Sequence, residues 1–486
     1  MSQGETKSYE AVEASLPLSK VNLDEPRQLG SGSRANLKTL VVLDDDPTGT
    51  QTVHDITVLT SFDKLVLEEE LAKRGRGFFI LTNSRAYPEV EAKVLLGKLL
   101  RDLHDGIAKV GVEVEVVTRS DSCLRGHFPL EPELVHDIVG PFDAWVLTPA
   151  FFEGGRVTVD DVHYVREGDD LVPVAMTPFA ADKAFGFRSS NLRAWVAEKF
   201  QQAGQTPPEI VSISIEDLRR DDAVAHVASR LEDIKRRSKE SPRTPPVIIL
   251  NVFHHSDMKT FITAKAQTNV SLLYRSGASL VSAYLGIDPV PPITPQSLSP
   301  RTSNRPFGGL IIVGSYVPKT TIQLSYLLEN CRQHLEHIQI DVQQVLKSSE
   351  IERTKLVAKT VSTMEEALQQ GLDVVVSTSR QLITHEDAQK SLRMGKVISD
   401  LLCSITASVN VRPKYVIAKG GITSSDIATQ ALQMKKANVV GQAAPGIPLW
   451  ESSEQDIAKW ADVPYIVFPG NVGGEHALGN LVASYR

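Results

Sequence analysis

Cysteine is scarce in this chain: there are only three, Cys123, Cys331 and Cys403, far apart and with no CxxC pair. A disulfide framework is therefore excluded, and without a His/Cys cluster at zinc-ligand spacing so is a structural zinc. Long apolar runs are missing too. No stretch approaches the roughly 18 apolar residues of a membrane span, and the opening MSQGETKSYEAVEAS has no apolar core of a secretory signal. A cytoplasmic protein without a membrane partner is expected. Basic residues are the minority, 52 Lys and Arg against 59 Asp and Glu, for a net charge of −7. That disfavours a nucleic-acid partner, which needs a basic face. It leaves room for a small anionic ligand, because a few arginines reverse the field within one cleft. Two nucleotide signatures are also lacking. Nothing matches GxxxxGK[ST], and no GxGxxG is followed by an acidic residue about twenty positions on.

What the chain does have is length, 486 residues, enough for two cores rather than one. Residues 1–36 are polar, carry Gly30 and Gly32, and read as an arm or loose extension. From Leu37 short apolar runs rich in β-branched residues follow one another: 37–43, 56–60, 77–81, 112–117, 143–148, 209–215 and 245–252. Helical periodicity fills several gaps, as in 90–111, 191–204 and 221–237. This alternation predicts a mostly parallel sheet covered on both faces. Residues 287–309 hold a cluster of prolines among small polar residues and read as an interdomain linker. The alternation then restarts with strands near 310–315, 338–341, 373–379, 414–421, 437–441 and 464–470, and a long helix over 385–408. The expected class is α/β, with an N-terminal extension (1–36), a first domain (37–286), the linker and a second domain (310–486). The active site is expected in the cleft between the domains.

The most informative segment is VVLDDDPTGTQTV (41–53), a buried strand ending in three carboxylates. Ligands of open α/β sheets bind beyond the carboxyl ends of strands, which puts Asp44, Asp45 and Asp46 where chemistry is done. Three adjacent carboxylates need something to share, such as Mg²⁺ or a hydroxyl being deprotonated. LTNSRAYP (81–88) and TRSDSCLRGHFP (118–129) follow strands in the same way. They supply Arg85, Arg119, Ser120, Asp121, Ser122 and Arg125, forked cations and hydroxyl partners suited to a sugar carboxylate and its hydroxyls. DDDPT also fits the Asp-x-Asp-x-Thr loop of haloacid-dehalogenase-type phosphatases, with Asp44 as nucleophile and Asp46 as general acid. No later segment offers the lysine and paired carboxylates that chemistry needs. A non-catalytic sugar-acid sensor is the other alternative.

In the second half, glycine closes strand after strand: VGSYVPKTT (313–321), KGGITSSD (419–426), GQAAPGIPLW (441–450) and FPGNVGGEHAL (468–478). Glycine lets backbone amides approach a phosphate closely. Four such turns in one half read as a nucleotide site. Ser424 or Ser425 is expected to cap the helix after KGG.

Taken in order, DDPTG (45–49), the TNSR loop, SDSCLRGH (120–127), PAFFEGGR (149–156), Gly314–Ser315, GGIT (420–423) and PGNVG (469–473) resemble the four-carbon acid sugar kinase family. The resemblance runs from about residue 37 to the end. It implies an amino-terminal substrate domain, a carboxy-terminal nucleotide domain, ATP with Mg²⁺, and a small sugar acid as partner; a homo-oligomer is left open. By the same resemblance Asp45, Arg85 and Arg119 to Ser122 contact substrate, with Arg125 beside them. Ser315, Gly420, Gly421, Ile422, Thr423, Gly446 and Gly470 or Gly473 contact ATP. Asp45 or Asp46 is expected to orient and deprotonate the acceptor hydroxyl. No Mg²⁺ ligand is assigned. Relatives often have Ala-x-Asp where this chain has Thr50-Gln51-Thr52, lysine at Arg119, and lysine at Phe468. Transfer in line requires dry, closely apposed reactants, so closure about residues 287–309 is expected.

Overall fold

The computed structural model describes residues 5–21, 38–238, 244–298, 307–380 and 388–486. The chain forms two compact units, Met1–Asp45 with Phe62–Asp288, and Asp46–Ser61 with Pro289–Arg486. The sequence reading assigned 46–61 to the first domain; this segment packs with the second unit, so consecutive residues Asp45 and Asp46 fall in different units. Much of the proposed arm, including Gly30 and Gly32, lies outside the described residues, as do part of the linker (299–306) and the start of the long helix.

In the first unit, β1 (Lys7–Ser8) and β2 (Thr39–Asp44) precede β3 (Ile56–Leu59), which belongs to the second unit. Then come β4 (Gly77–Leu81), β5 (Val114–Arg119), β6 (Ala144–Thr148), β7 (Arg156–Val159), β8 (Val162–Glu167), β9 (Asp170–Pro173), β10 (Ile210–Ile213), β11 (Val247–Leu250) and β12 (Leu272–Ser276). The main sheet runs β10-β11-β6-β12-β5-β2-β4, every pair parallel. Its strands are near-continuous Val, Ile, Leu and Phe because both faces are covered. The helix Glu89–Val110 buries Ala92, Leu96, Leu99, Leu100 and Leu103 at helical spacing, and ends where Gly111 takes φ 64°. Gly106 lets it settle on the helix Lys64–Ala72, where a Cβ would stand 3.1 Å from Leu71.

Register sets the site of this unit. Leu81, Asp44, Arg119, Ser276 and Thr148 are successive Cα partners across β4, β2, β5, β12 and β6. Five strands therefore end at one level, and their loops leave from one edge. A small antiparallel sheet, β1-β9-β8-β7, was not foreseen. It ties down residues read as a loose arm: Val12 is buried with Val157, Tyr164, Leu171 and Phe253, and Pro17 O accepts from Arg219.

The second unit continues with β13 (Leu310–Val313), β14 (Leu335–Ile340), β15 (Asp373–Thr378), β16 (Val416–Lys419), β17 (Lys436–Ala444), β18 (Ile447–Glu451) and β19 (Tyr465–Phe468). Its order is β3-β17-β18-β19-β16-β13-β15-β14. The first three pairings are antiparallel and the remainder parallel. Here too register aligns the ends: Ser377, Val313, Lys419 and Phe468 are successive partners. GQAAPGIPLW, read as a strand-end loop, is instead the β17–β18 hairpin, with Gly446 at φ 75° in its turn. From the described part of the linker, Ile293 binds this unit through Gln442 O and the Tyr485 hydroxyl, each at 2.7 Å.

Candidate functional site

In the first unit the carboxylates of β2 meet arginines from the neighbouring strand ends. Asp44, fully buried, sits 3.2 Å from the Arg119 guanidinium. Its carbonyl accepts from the amides of Thr82 and Asn83, which brings the TNSR loop across. Arg85 then lies 3.8 Å from Asp45 and 3.7 Å from Asp121. Arg125 holds Asp121 at 2.6 Å and packs over the Phe179 ring. Burial alone would raise the Asp121 pKa, but Arg125, Arg85 and Arg119 hold it well below the usual carboxylate range. Gly126 makes this crowding feasible. At φ 122°, a Cβ there would stand 3.1 Å from the Asp45 carboxylate.

Two residues that sequence reasoning missed complete this cluster. Arg275, at the end of β12, is buried beneath Phe128 and Trp195 and donates to Arg125 O at 3.1 Å. Burial lowers its pKa, against the pull of Asp45 and Glu131. Glu131 accepts from the Ser84 hydroxyl at 2.5 Å, and burial pushes its carboxyl up. Ser120 is fully buried with its hydroxyl 3.5 Å from Glu131. Ser122 is fixed through its backbone, since its carbonyl accepts from His163 Nε2 at 2.7 Å. Arg119 Nε and Arg275 Nη1 are buried with no hydrogen-bond partner among the described residues. Buried donors of that kind are costly unless a ligand takes them up. Forked cations beside ionised carboxylates and hydroxyls are the chemistry that grips a carboxylate and orients an adjacent alcohol.

In the second unit three glycine loops interlock. A Cβ on Gly314 would stand 2.2 Å from the Thr423 hydroxyl, one on Gly420 2.9 Å from Ser315, and one on Gly470 2.9 Å from the Ser315 hydroxyl. Gly420 and Gly473 have φ of 121° and 82°, conformations open to glycine. Gln323, fully buried on the helix Pro318–Asn330, donates to the carbonyls of Val472 and Gly474 at 3.0 and 2.9 Å and so fixes the PGNVG loop. Gly446 lies against the same loop, 3.0 Å from Val472 for an added Cβ. Ile422 points outward and is half-exposed. Asp46 joins this group rather than Asp45's: it caps the turn Pro47–Thr50 by accepting from Thr48 N at 2.8 Å, and its carboxylate would be 2.5 Å from a Cβ on Gly421. The turn is anchored by Trp450, whose indole donates to Thr50 at 3.0 Å.

One capping expectation is corrected. The helix Gly421–Asp426 starts at Gly420, with no side-chain cap, and the Ser424 hydroxyl turns back to Ala418 O at 2.7 Å. Lys419 and Arg380 were not assigned a role from the sequence, although Lys419 ends β16 in the aligned register and Arg380 lies two residues beyond the end of β15. Lys419 is fully buried, donates to Pro469 O at 2.5 Å and lies 3.9 Å over the Phe468 ring. Arg380 donates to Ser315 O at 2.5 Å and to the Thr321 hydroxyl at 3.2 Å. Among the described residues no group of three or more His, Cys, Asp or Glu could hold a metal ion, and no helix is long and apolar enough to cross a membrane.

Comparison with known proteins agrees with these two halves. Residues 40–284 match the family model of a sugar-binding N-terminal domain, and residues 310–478 that of a nucleotide-binding C-terminal domain. A Salmonella typhimurium LT2 protein, described as a candidate tRNA synthase, shares the fold with TM-score 0.64 and 14% identity, over 92% of this chain and 98% of that one. Haemophilus influenzae protein HI1011, of the DUF1537 family, does so with TM-score 0.58 and 17% identity, over 92% of this chain and 100% of that one. No curated protein matches the chain. The first of the two models alone spans half the sequence, and the chain belongs to the family whose sugar-binding amino-terminal domain is followed by a nucleotide-binding carboxy-terminal domain.

Proposed function

We propose that this protein is an ATP-dependent kinase that phosphorylates a hydroxyl of a small, four-carbon sugar acid. The observation that carries the reading is the pairing of two chemistries in one chain. Buried arginines, with donors that have no partner among the described residues, surround buried carboxylates in the first unit. Three glycine loops pack against one another in the second. Arg85, Arg119, Arg125 and Arg275 hold the sugar carboxylate, and Ser120 and Ser122 bind its hydroxyls. Asp45, ringed by Arg85 and Arg275, orients the acceptor alcohol and takes its proton. Gly314–Ser315, Gly420–Thr423 and Gly470–Gly473 hold the nucleotide through backbone amides. Mg²⁺, when bound with ATP, neutralises charge on the phosphates.

The geometry weighs against the phosphatase alternative. Asp44, the nucleophile that reading requires, is held at 3.2 Å by the Arg119 guanidinium, and no later segment offers the lysine and paired carboxylates that chemistry needs. The deciding experiment is ADP release across a panel of tetronates and related acids. ADP should form with ATP only when a sugar acid is present. Phosphate release from a phosphorylated sugar acid without ATP, and no ADP across the panel, would overturn the kinase reading.

A further inference from the structure

Three cations gather beside the glycine loops of the second unit, and among the described residues none of them has a carboxylate within ion-pair distance. Lys319 stands in the first turn of the helix Pro318–Asn330, a turn that contains no acidic residue. Arg380 reaches the loop that precedes this helix through Ser315 O and the helix's first turn through the Thr321 hydroxyl. Lys419 lies buried under the PGNVG loop, bonded to a neutral carbonyl. Among the described residues none of the three forms an ion pair with a carboxylate. Arg380 Nη1 is moreover buried with no hydrogen-bond partner among the described residues.

Each of these facts is unfavourable for the protein alone. A cation at a helix amino terminus opposes the helix dipole. A buried ammonium or guanidinium without a counter-ion costs several kcal/mol in general, and like charges close together add to that. The strain registers at Lys419, whose pKa falls to about 7 through burial and the nearness of Lys319 and Arg380. Such an arrangement persists when an anion completes it.

We infer that Lys319, Arg380 and Lys419 form a polyphosphate site that grips the phosphate tail of the nucleotide, with Arg380 Nη1 as its free donor and Lys419 as the residue that also fixes the Pro469 carbonyl. This rests on the nucleotide reading proposed above and adds the residues that take the charge. The glycine loops supply close approach, and the cations supply preference for a longer phosphate chain. Arg380 is the discriminating residue because its Nη1 is the donor without a partner among the described residues, whereas Lys419 already donates to Pro469 O.

Binding of ATP, AMP and inorganic tripolyphosphate to the full chain by calorimetry tests this, in wild type, Arg380→Gln and Lys419→Met. Arg380 is only partly buried, so Arg380→Gln keeps the test valid if Lys419→Met fails to fold. Wild type should bind ATP and tripolyphosphate and prefer ATP over AMP by at least about tenfold. Arg380→Gln should lose tripolyphosphate binding and most of the ATP-over-AMP preference, while retaining AMP. Unchanged tripolyphosphate and ATP affinities in Arg380→Gln would overturn the inference and leave the kinase reading standing. Tripolyphosphate binding without ATP binding in wild type would support the anion site and refute the nucleotide reading.

Discussion

Gly314 and Thr423 leave each other no room: a Cβ on Gly314 would lie 2.2 Å from the Thr423 hydroxyl oxygen. They belong to different glycine loops, so the contact holds the first turn after β13 against the start of the helix after β16. Replacing Gly314 by Ala forces the two loops apart by more than a rotamer change can absorb, since Thr423 is buried. The expected result is a loss of ATP affinity of at least about tenfold, or ~1.4 kcal/mol, with sugar-acid affinity unchanged. Calorimetry with each ligand separately checks it. Normal ATP binding in Gly314→Ala would mean that these loops do not touch the nucleotide.

Asp45 and Asp46 are neighbours in the chain yet serve different surroundings, and this separates their roles. Asp45 faces Arg85 and lies next to Gly126; Asp46 caps its own turn against Gly421. Asp45→Asn keeps the shape and removes the proton acceptor. Turnover should fall by roughly 10²–10⁴-fold, the usual worth of a positioned base, with the KM for ATP little altered. Asp46→Asn, whose amide oxygen still accepts from Thr48, should lose far less turnover. Steady-state kinetics of the two variants decide between them. Equal losses would remove the distinction drawn here.

The buried parallel strands were legible because their apolar runs are uninterrupted, as in Leu40–Leu43 and Phe78–Leu81, and because each ends in polar residues. β12 was not. In SLLYRS the charged Arg275 interrupts the run, and nothing local shows that Trp195 and Phe128, far away in sequence, will stack on it. The antiparallel sheet of β7, β8 and β9 escaped because HYVRE and DLVP are too short and mixed to display a period. The hairpin at Gly446 was misread for the opposite reason: its glycines resemble the phosphate loops, and only strand pairing distinguishes them. The arginine-rich loops were visible as motifs. That five strands end in register, making those loops one site, is a property of pairing that no single segment carries.

Arg275 gives a prediction that the motifs alone would not. Its guanidinium lies against the Phe128 and Trp195 rings and feels the charge of Asp45, and its Nη1 has no hydrogen-bond partner among the described residues. Arg275→Met preserves much of the volume and removes the fork. The KM for the sugar acid should rise by at least about tenfold, as expected for a lost charge-assisted pair of ~1.5–3 kcal/mol, while ATP binding stays intact. A variant whose sugar-acid KM is unchanged would show that Arg275 only supports the fold.

His163 makes the first unit sensitive to acid. It is fully buried: Nε2 donates to Ser122 O, and Nδ1 therefore accepts from the Thr158 hydroxyl at 3.0 Å. Burial first, then the nearby Arg156 and Arg275, bring its pKa from 6.5 to about 4, so the folded protein keeps the ring neutral. Well above pH 6.5 neither folded nor unfolded chain protonates it, and its contribution is complete. As pH falls from 6.5 towards 4, the unfolded chain binds a proton that the folded chain refuses, and stability drops. At pH 5 the loss is about 2 kcal/mol. Asp373 in the second unit acts with the opposite sign, because burial lifts its carboxyl to about 6 and its folded form is favoured at lower pH. Comparing wild type with His163→Gln at each pH cancels that contribution. Denaturant unfolding at pH 7 and pH 5 should show wild type losing about 2 kcal/mol more than the variant between the two. An identical loss in both proteins would mean that His163 is protonated in the folded state, and that its bond to Ser122 does not require the neutral ring.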